Sequence, residues 1–223
     1  MKPILFNTSM VQAILDGRKT VTRRIIKPQP GTDQVYPLGC CVDGDRVNID
    51  KFGFGSCECG GRILYVRIPY NAGDILYVRE SYCPNYFDTS IAVGLKYNRN
   101  AYKADYHKET IGHIVPEPKW KPSIHMPKEA ARIFLRVTGV HAERLQDMPH
   151  DGAEREGIYY CENCGFTWER NSQIFLKTPM SSMKFLWDLT YKKRNYAWRW
   201  EANPWVWVIE FERCEKPVEY SPW

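Results

Sequence analysis

Residues 8–26 read TSMVQAILDGRKTVTRRII, and the hydrophobic period changes half-way along this stretch. In the first half the apolar residues recur at spacings of three and four. That spacing predicts a short helix with Thr8 or Ser9 as its N-cap and Gly17 at its end. The second half, 20–26, is rich in β-branched residues and predicts a strand. One helix therefore leads directly into one strand.

Further strands are indicated along the rest of the chain. The pentapeptide ILYVR occurs at 63–67 and again at 75–79, and the turn-forming IPYNAGD between the two copies predicts a β-hairpin. Alternating apolar residues predict two more strands, at 132–138 and at 205–213. The second of these is expected to bury Trp205, Trp207, Ile209 and Phe211.

Two more helices are predicted. Residues 145–156 form one of them, broken at Pro149 and ended by Gly157. Ser181 caps the other, whose buried stripe comprises Met183, Leu186, Trp187 and Thr190. Because strands and helices do not alternate as βαβ units, the sequence predicts an α+β domain, with a small β-barrel as one arrangement of the strands.

Three segments interrupt these elements. Residues 27–61 are rich in Gly, Pro and Asp, 81–121 are aromatic but poorly periodic, and 158–178 carry a cysteine motif. A chain of 223 residues is long enough for one core with some excess length. We therefore predict a single domain over 1–223 with loop-rich insertions at these three places.

Composition narrows the class of protein. Charged residues make up 26% and hydrophobic residues 43% of the chain, and the mean hydropathy is -0.50, which excludes a disordered acidic tail. No apolar run approaches the ~18 residues of a membrane span, and the first residues do not form a signal peptide. We expect a cytoplasmic protein without a membrane partner. The net charge of +5 permits a polyanionic partner without requiring one.

The densest polar cluster is GRKTVTRR, at 17–24, with four cations and two hydroxyls. Its composition alone fits a solvated turn and edge strand. The predicted strand, however, places Thr22 and Arg24 on one face, where Lys19 in the preceding turn can converge with them. Neighbouring cations lower the pKa of a lysine, as a general base near neutrality requires, and a threonine hydroxyl needs such a base to become a nucleophile.

A third participant would be a carboxylic acid that handles a proton. Glu80 in YVRES and Glu156 in AEREG lie at the ends of predicted elements. Either could be an ordinary surface carboxylate, and a glutamate close to Lys19 would also stabilise the protonated amine. The residues alone leave open whether a Lys–Glu pair performs chemistry or positions a substrate.

Five segments together resemble the ASCH (activating signal cointegrator homology) family, in its phage and prophage-encoded branch. They are ILDGRKTVTRR at 14–24, GDILYVRES at 73–81, PSIHMPKEAARIFLRVTGVHAERLQDM at 122–148, AEREGI at 153–158 and NPWVWVIEFER at 203–213. The segments follow one order along the chain, and GRKTVTRR is the most specific of them.

This resemblance implies a PUA-like fold, which is a small β-barrel flanked by helices, with a cleft suited to RNA or a nucleoside. The chain is similar to small bacterial amidohydrolases that deacetylate N4-acetylcytidine with a lysine, a threonine and a glutamate. Their GRKTxT motif corresponds to Lys19 and Thr22 here, and their Ala-Glu-x-Glu pattern corresponds to Glu156. Those enzymes are much shorter, so the three insertions could cap, narrow or replace their cleft.

On this resemblance the leading hypothesis is an amidohydrolase that acts on an acylated pyrimidine nucleoside such as N4-acetylcytidine. Lys19, Thr22 and Glu156 would be its catalytic residues. The expected substrate-binding residues are Arg23, Arg24, Arg79, Glu80 and Trp120. A non-catalytic RNA-binding module and a ribonuclease acting on single-stranded RNA are the alternatives that the same cleft allows.

The segment YKKRNYAWRW, at 191–200, interleaves four cations with four aromatic rings. Cations bind phosphates and rings stack on bases in proteins that bind single-stranded RNA. A solvated loop with partly buried tryptophans has the same composition. With Tyr82 and Trp120, the segment could line one wall of the cleft.

Eight cysteines in a reducing compartment are interpreted as metal ligands or buried thiols before disulfides. CECGG at 57–61 and CENCG at 161–165 are turns whose glycines let backbone amides approach the sulfurs. Two such turns predict one structural zinc, held by Cys57, Cys59, Cys161 and Cys164, with Cys40 or Cys41 as substitutes. Scattered reduced thiols are the other interpretation, and the five histidines show no ligand spacing.

Overall fold

The structure is a computed structural model that describes residues 1–30, 36–40, 51–55, 64–88, 97–106, 118–162, 164–169, 172–191 and 195–217. Its strands are β1 (Lys2–Leu5), β2 (Val21–Ile25), β3 (Tyr36–Cys40), β4 (Lys51–Gly55), β5 (Leu64–Arg67), β6 (Ile75–Arg79), β7 (Tyr82–Asp88), β8 (Tyr97–Tyr102), β9 (Phe134–Arg144), β10 (Tyr159–Cys161), β11 (Gly165–Thr167) and β12 (Trp205–Cys214). Its α-helices are α1 (Thr8–Leu15), α2 (Gly152–Arg155) and α3 (Pro179–Tyr191). The fold is therefore mixed α+β with a mostly sheet core.

A five-stranded sheet with the strand order β1–β6–β9–β12–β2 forms the centre of the molecule. β1 runs parallel to β6, and the other neighbours are antiparallel. β12 pairs with β9 along its whole length, with a register shift between Glu210 and Phe211. β1 and β2 are the two edges, so the sheet that the described residues form is open and not a closed barrel.

The alternation of β12 divides the buried side chains between the two faces of this sheet. One face carries the predicted residues Trp205, Trp207, Ile209 and Phe211, which cluster with Val11 and Ile14 of α1. The other face carries Val206 and Val208, which cluster with Met183, Leu186 and Trp187 of α3. The predicted final strand is confirmed, and α1 and α3 cover opposite faces.

Two of the predicted helix starts are displaced. The N-cap of α1 is Asn7, whose side chain accepts a hydrogen bond from the Met10 backbone N–H at 2.8 Å, so the prediction of Thr8 or Ser9 was wrong. α3 begins at Pro179, and the Thr178 hydroxyl accepts from the backbone N–H of Ser181. Asparagine and threonine are, like serine, common N-cap residues. Proline is common at the first helical position.

The predicted breaks are present at the expected places. Gly17 ends α1 with a φ of +75°, a conformation that favours glycine. Between β9 and α2 the chain makes a 3₁₀ turn at Leu145–Asp147, so the helix predicted over 145–156 is interrupted around Pro149. Gly157, with a φ of +106°, ends α2.

The predicted ILYVR hairpin was wrong. The second copy is β6, and both of its edges are occupied within the central sheet, by β1 and by β9. The first copy contains β5, which pairs with β4 in a separate sheet of order β3–β4–β5. Two identical pentapeptides thus belong to different sheets, because pairing depends on the whole fold and not on the turn between them.

The three proposed insertions are more regular than predicted. Residues 27–61 contain β3 and β4, 81–121 contain the two-stranded sheet β7–β8, and 158–178 contain the hairpin β10–β11. Phe54 of β4 is 1% exposed and belongs to the same cluster as Trp205 and Trp207. Their interpretation as irregular loops was therefore wrong, because pairing with neighbouring strands and burial in the core outweigh the weak strand preference of Gly and Pro.

Within the described ranges, none of the helices combines the length and the apolar character that crossing a membrane requires.

Candidate functional site

Lys19 lies in the turn that joins α1 to β2. The turn is fixed from both sides, because the Lys19 backbone N–H donates to Ala13 and the Thr20 backbone N–H donates to the carbonyl of Arg155. These bonds bring the start of β2 against the end of α2. As a result the Lys19 side chain points into the protein and is fully buried.

The Lys19 ammonium makes three hydrogen bonds. It donates to the Val21 carbonyl at 2.8 Å, to the Glu156 carbonyl at 2.9 Å and to Glu156 Oε2 at 2.5 Å. An ammonium group has three N–H donors, so these acceptors use all of them. The buried cation is therefore completely hydrogen-bonded, and one of its partners is a carboxylate.

Glu156 is held by the end of α2 and by the glycine that follows it. The backbone N–H of Glu156 donates to Gly152, and Gly157 adopts a φ of +106°. A Cβ on Gly157 would lie 2.8 Å from the Ala13 Cβ of α1. Only glycine lets α2 approach α1 this closely, and this approach brings Glu156 to Lys19.

The other oxygen of the Glu156 carboxylate faces Arg23. Oε1 accepts from the Arg23 backbone N–H at 2.7 Å and lies 3.4 Å from Nη1 of the same residue. The Arg23 guanidinium also donates from Nε to Glu143 Oε1 at 2.8 Å. Lys19, Arg23, Glu143 and Glu156 thus form one charge-balanced cluster, in which only Glu143 reaches the surface appreciably.

Thr22 lies on β2 opposite Ile209 of β12 and is 1% exposed. Within the part of the chain that the structure describes, no hydrogen bond to the Thr22 hydroxyl is found. Thr22 and Glu156 line the same narrow cavity, whose outer wall is α3, with Met183, Leu186, Trp187, Thr190 and Tyr191. The free volume of this cavity is about 20 Å³, which is room for roughly one water molecule.

Burial dominates the electrostatics of Lys19. It lowers the pKa of Lys19 below its ordinary value, because a dry environment disfavours the charged amine. The charge and hydrogen bond of Glu156 oppose this effect, and the cations Arg24 and Arg23 add to it. The charged form of Lys19 is therefore stabilised by its contact with Glu156 and destabilised by burial.

Arg24 lies on the same strand face as Thr22, as predicted. Its Nη2 donates to the Leu5 carbonyl of β1 at 2.8 Å, and its guanidinium lies 5.3 Å from the centroid of the Phe6 ring. The Lys19 ammonium lies 5.7 Å from the same ring centroid. Phe6 thus lies near both cations, and Arg24 also lines the cavity that Thr22 and Glu156 share.

Glu80 belongs to a second buried cluster. Its carboxylate accepts from Arg132 Nε at 2.9 Å and from Nη2 at 3.2 Å, and Arg132 also binds Asp105. Burial raises the pKa of Glu80, although Arg132 opposes this shift. Among the described residues no hydrogen bond or ion pair links this cluster to Lys19 or Glu156.

Arg79 and Trp120 are also held away from the Lys19 cluster by local partners. Arg79 Nε donates to the Met126 carbonyl at 2.9 Å, and its Nη2 donates to the carbonyl of Ile124. Trp120 forms an edge-on contact with Tyr106, at 5.3 Å between ring centroids. The predicted substrate-binding residues therefore fall into two groups, one at Lys19 and one around Glu80.

The aromatic residues of 195–200 pack mostly against α3. The Trp198 carbonyl accepts from Trp187 Nε1 at 2.7 Å, and Trp200 is buried. Tyr196 is 72% exposed, and Lys27 lies 4.2 Å from the centroid of the Trp198 ring. The lysines and arginine at 192–194 lie outside the described residues.

The predicted zinc ligands are described only in part. Cys57, Cys59 and the substitute Cys41 lie outside the described residues, and Cys40 is described by its backbone in β3. Cys161 and Cys164 lie at the tip of the β10–β11 hairpin, where the Cys164 N–H donates to the Cys161 carbonyl and the two thiols interact. Within the described ranges no group of three or more ligand-type side chains is found.

Sequence reasoning missed the roles of Arg23 and Glu143. Arg23 alternates with Val21 and Ile25, which are both buried, so it occupies an inward position of β2. A charged residue between two apolar inward residues indicates a buried ion pair, because an unpaired charge in a core is very costly. The sequence therefore carried a signal that Arg23 is paired, but only the fold identifies Glu143 as the partner of Arg23.

Comparison of the chain with protein families, with curated proteins and with solved structures finds no match.

Proposed function

We propose that this protein is an ASCH-type, PUA-like amidohydrolase that removes the acyl group from an N4-acylated cytidine or a related modified pyrimidine nucleoside. The observation that supports this most strongly is the buried contact between Lys19 and Glu156 beside Thr22. These are the three residues that the family resemblance assigns to catalysis, and they come from two distant parts of the chain. Lys19 and Glu156 share a bond of 2.5 Å, and Thr22 lines the same cavity as Glu156.

The chemistry starts from proton transfer within the ion pair. Transfer of a proton from the Lys19 ammonium to Glu156 gives a carboxylic acid and a neutral amine, which is the form of Lys19 that burial favours. The amine takes the Thr22 proton while Oγ1 forms a bond to the acyl carbon, and the bond from that carbon to N4 breaks as Glu156 protonates the leaving nitrogen. Water then cleaves the acyl ester, which releases the carboxylic acid and restores Thr22.

Access to Thr22 requires that this cavity widens. The cavity holds roughly one water, so a nucleoside enters only when the side chains of Trp187 and Tyr191 move outward. Closure of the same side chains over a bound base would exclude water from the reacting atoms.

The direct test is release of cytidine from N4-acetylcytidine by the purified protein. Thr22→Val removes the hydroxyl with little change of shape and should abolish turnover, whereas Thr22→Ser should retain part of it. Thr20→Val is the matched control, since Thr20 lines a different surface groove, with Arg18 and Tyr159. No turnover by the natural sequence, or full turnover by Thr22→Val, would contradict the proposal.

The alternative function is RNA binding without chemistry. It is favoured by the surface around Trp198, where Lys27 lies over an aromatic ring as cations and rings do in single-strand binding sites. Fluorescence anisotropy with a labelled single-stranded RNA would show affinity that falls steeply with salt and that Thr22→Val leaves unchanged. Fragments of the labelled strand would instead identify a ribonuclease.

We also propose a structural zinc at the β10–β11 hairpin. Cys161 and Cys164 supply two thiols that already interact at one turn, as two ligands of a tetrahedral site do. Cys57 and Cys59 would complete it. Metal analysis should give one zinc per chain and about half or less in Cys161→Ser, with Cys83→Ser as the control; a zinc content well below one in the natural sequence would contradict the site.

A further inference from the structure

The two oxygens of the Glu156 carboxylate are bound by different cations. Oε2 contacts the Lys19 ammonium at 2.5 Å, whereas Oε1 accepts from the Arg23 backbone N–H at 2.7 Å and faces its Nη1 at 3.4 Å. Arg23 thus approaches the oxygen that Lys19 leaves free. The carboxylate cannot rotate without breaking one of these contacts, so its orientation toward Lys19 depends on Arg23.

The Arg23 side chain has little alternative to this position. It is 2% exposed and its Nε donates to Glu143 Oε1 at 2.8 Å. A Cβ on Gly152 would lie 2.3 Å from Met148 Cγ and 3.2 Å from Arg23 Nη2, so the glycine at the start of α2 leaves room for both side chains. A planar guanidinium can bridge two carboxylates in this way.

Glu143 connects this buried cluster to the surface. Its side chain is 15% exposed, and its second oxygen lies 3.5 Å from Nε2 of the half-exposed His141. The cations that act on Lys19 are therefore Arg24 and Arg23 on β2, while Glu143 and His141 on β9 face the pair only through Arg23. On the side of α3, Tyr191 lines the cavity that Thr22 and Glu156 share.

We propose that Arg23 and Glu143 are a positioning pair that orients the Glu156 carboxylate toward Lys19 and sets the pH at which Lys19 loses its proton. The proposal rests on the function proposed above, in which the neutral form of Lys19 is the base. Arg23 favours this form, because a second cation beside the pair destabilises the ammonium. Glu143 opposes it, because its negative charge compensates that of Arg23.

The two members of the pair therefore act with opposite sign. Arg23→Gln removes a cation and should move the titration of Lys19 to higher pH. Glu143→Gln removes an anion, so that Glu156 is the only carboxylate left beside Arg23. The titration of Lys19 should then move to lower pH. A purely structural role predicts a different result, since loosening the cluster admits water and moves Lys19 toward its ordinary value, which is higher, in both variants.

The experiment follows the Lys19 side chain directly, by NMR of the Nζ or Cε nucleus over a pH titration. Arg23→Gln should shift the midpoint upward, Glu143→Gln downward, and Arg23→Lys should restore most of the natural midpoint because it keeps the charge. Arg136→Gln, which removes an exposed cation elsewhere on the sheet, is the matched control and should have no effect. Upward shifts in both Arg23→Gln and Glu143→Gln, or no shift in either, would overturn the proposal.

Turnover supplies the second readout. The pH at which the rate of deacylation rises should move in the same direction as the Lys19 titration in each variant. If the protein does not hydrolyse N4-acetylcytidine, the proposed function fails, while the NMR titration still decides the positioning role. If turnover occurs and the midpoints do not move, the positioning pair fails and the proposed function stands.

Discussion

Lys19 binds Glu156 twice, through the carboxylate Oε2 at 2.5 Å and through the main-chain carbonyl at 2.9 Å. The second contact matters for the fold, because the last carbonyls of a helix lack partners within the helix and Glu156 directly follows α2. A cation at this end satisfies such a carbonyl and interacts favourably with the helix. The residue pair at the centre of the proposed site therefore also fastens α2 to the turn after α1.

The first prediction concerns this pair and protein stability. Lys19→Met leaves the Glu156 carboxylate buried beside Arg23 alone, and breaking a buried ion pair in this way should lower the free energy of unfolding by about 3–5 kcal/mol. Adding Glu156→Gln to Lys19→Met should recover much of the loss, because no unpaired charge remains. Urea denaturation of the single and double variants measures both effects.

A surface pair provides the control for that experiment. Lys184 and Glu201 form a salt bridge in which both side chains are about half exposed. Solvent screens such a pair, so Lys184→Gln should leave the urea midpoint unchanged. If Lys19→Met were equally harmless, the pair at Lys19 would not be a buried ion pair in solution.

The second prediction concerns Gly157. It adopts a φ of +106°, and a Cβ there would lie 2.8 Å from the Ala13 Cβ. Gly157→Ala should therefore lower the free energy of unfolding by more than about 1 kcal/mol and separate α2 from α1. Gly17 has a φ of +75° with no atom within 4 Å of its Cβ position, so Gly17→Ala measures the backbone strain alone. Equal losses in the two variants would show that α2 and α1 do not approach so closely.

The third prediction is the acid dependence of stability that Glu143 contributes. Burial alone would raise the pKa of Glu143, but the hydrogen bond from His141 and the charge and hydrogen bond of Arg23 lower it below its ordinary value of 4.5. A lowered pKa means that the stabilisation is fully present above about pH 4.5 and is lost as the pH falls through the lower, folded value.

Thermal unfolding of Glu143→Gln against pH tests this sign. The variant should be less stable than the natural sequence near neutral pH, and the difference should shrink as the pH falls below about 4.5. Glu129→Gln, at an exposed position, should leave the melting temperature unchanged near neutral pH. A difference that grows toward acid would contradict the predicted sign.

The parts of the fold that the sequence predicted are those with strong local signals. α1, β9 and β12 follow from apolar spacing, and β2 follows from its β-branched residues. The placement of Thr22 and Arg24 on one strand face follows from alternation alone. The contact between Lys19 and Glu156 depends on how α2 packs against α1, which local spacing does not encode. It was expected only through a family resemblance.

The same reasoning failed where pairing depends on distant partners. The segment 51–55 reads KFGFG, and its glycines suggested a loop, yet it forms the middle strand of a three-stranded sheet. Its aromatic residues face the central sheet, with Phe52 against Trp207 at 5.5 Å and Phe54 against Trp205 at 5.2 Å between ring centroids. Burial of these rings against β12 outweighs the low strand preference of glycine, so composition alone was misleading.

The fourth prediction tests whether this segment belongs to the core. Phe54 is 1% exposed, so Phe54→Ala should lower the free energy of unfolding by about 3–5 kcal/mol, as expected for loss of a fully buried aromatic ring. Tyr196→Ala removes a ring that is 72% exposed and should change the free energy by less than about 0.5 kcal/mol. Urea denaturation of both variants is the measurement. A small effect of Phe54→Ala would mean that 51–55 folds as a separate surface segment, and the tryptophans of β12 would then need another cover.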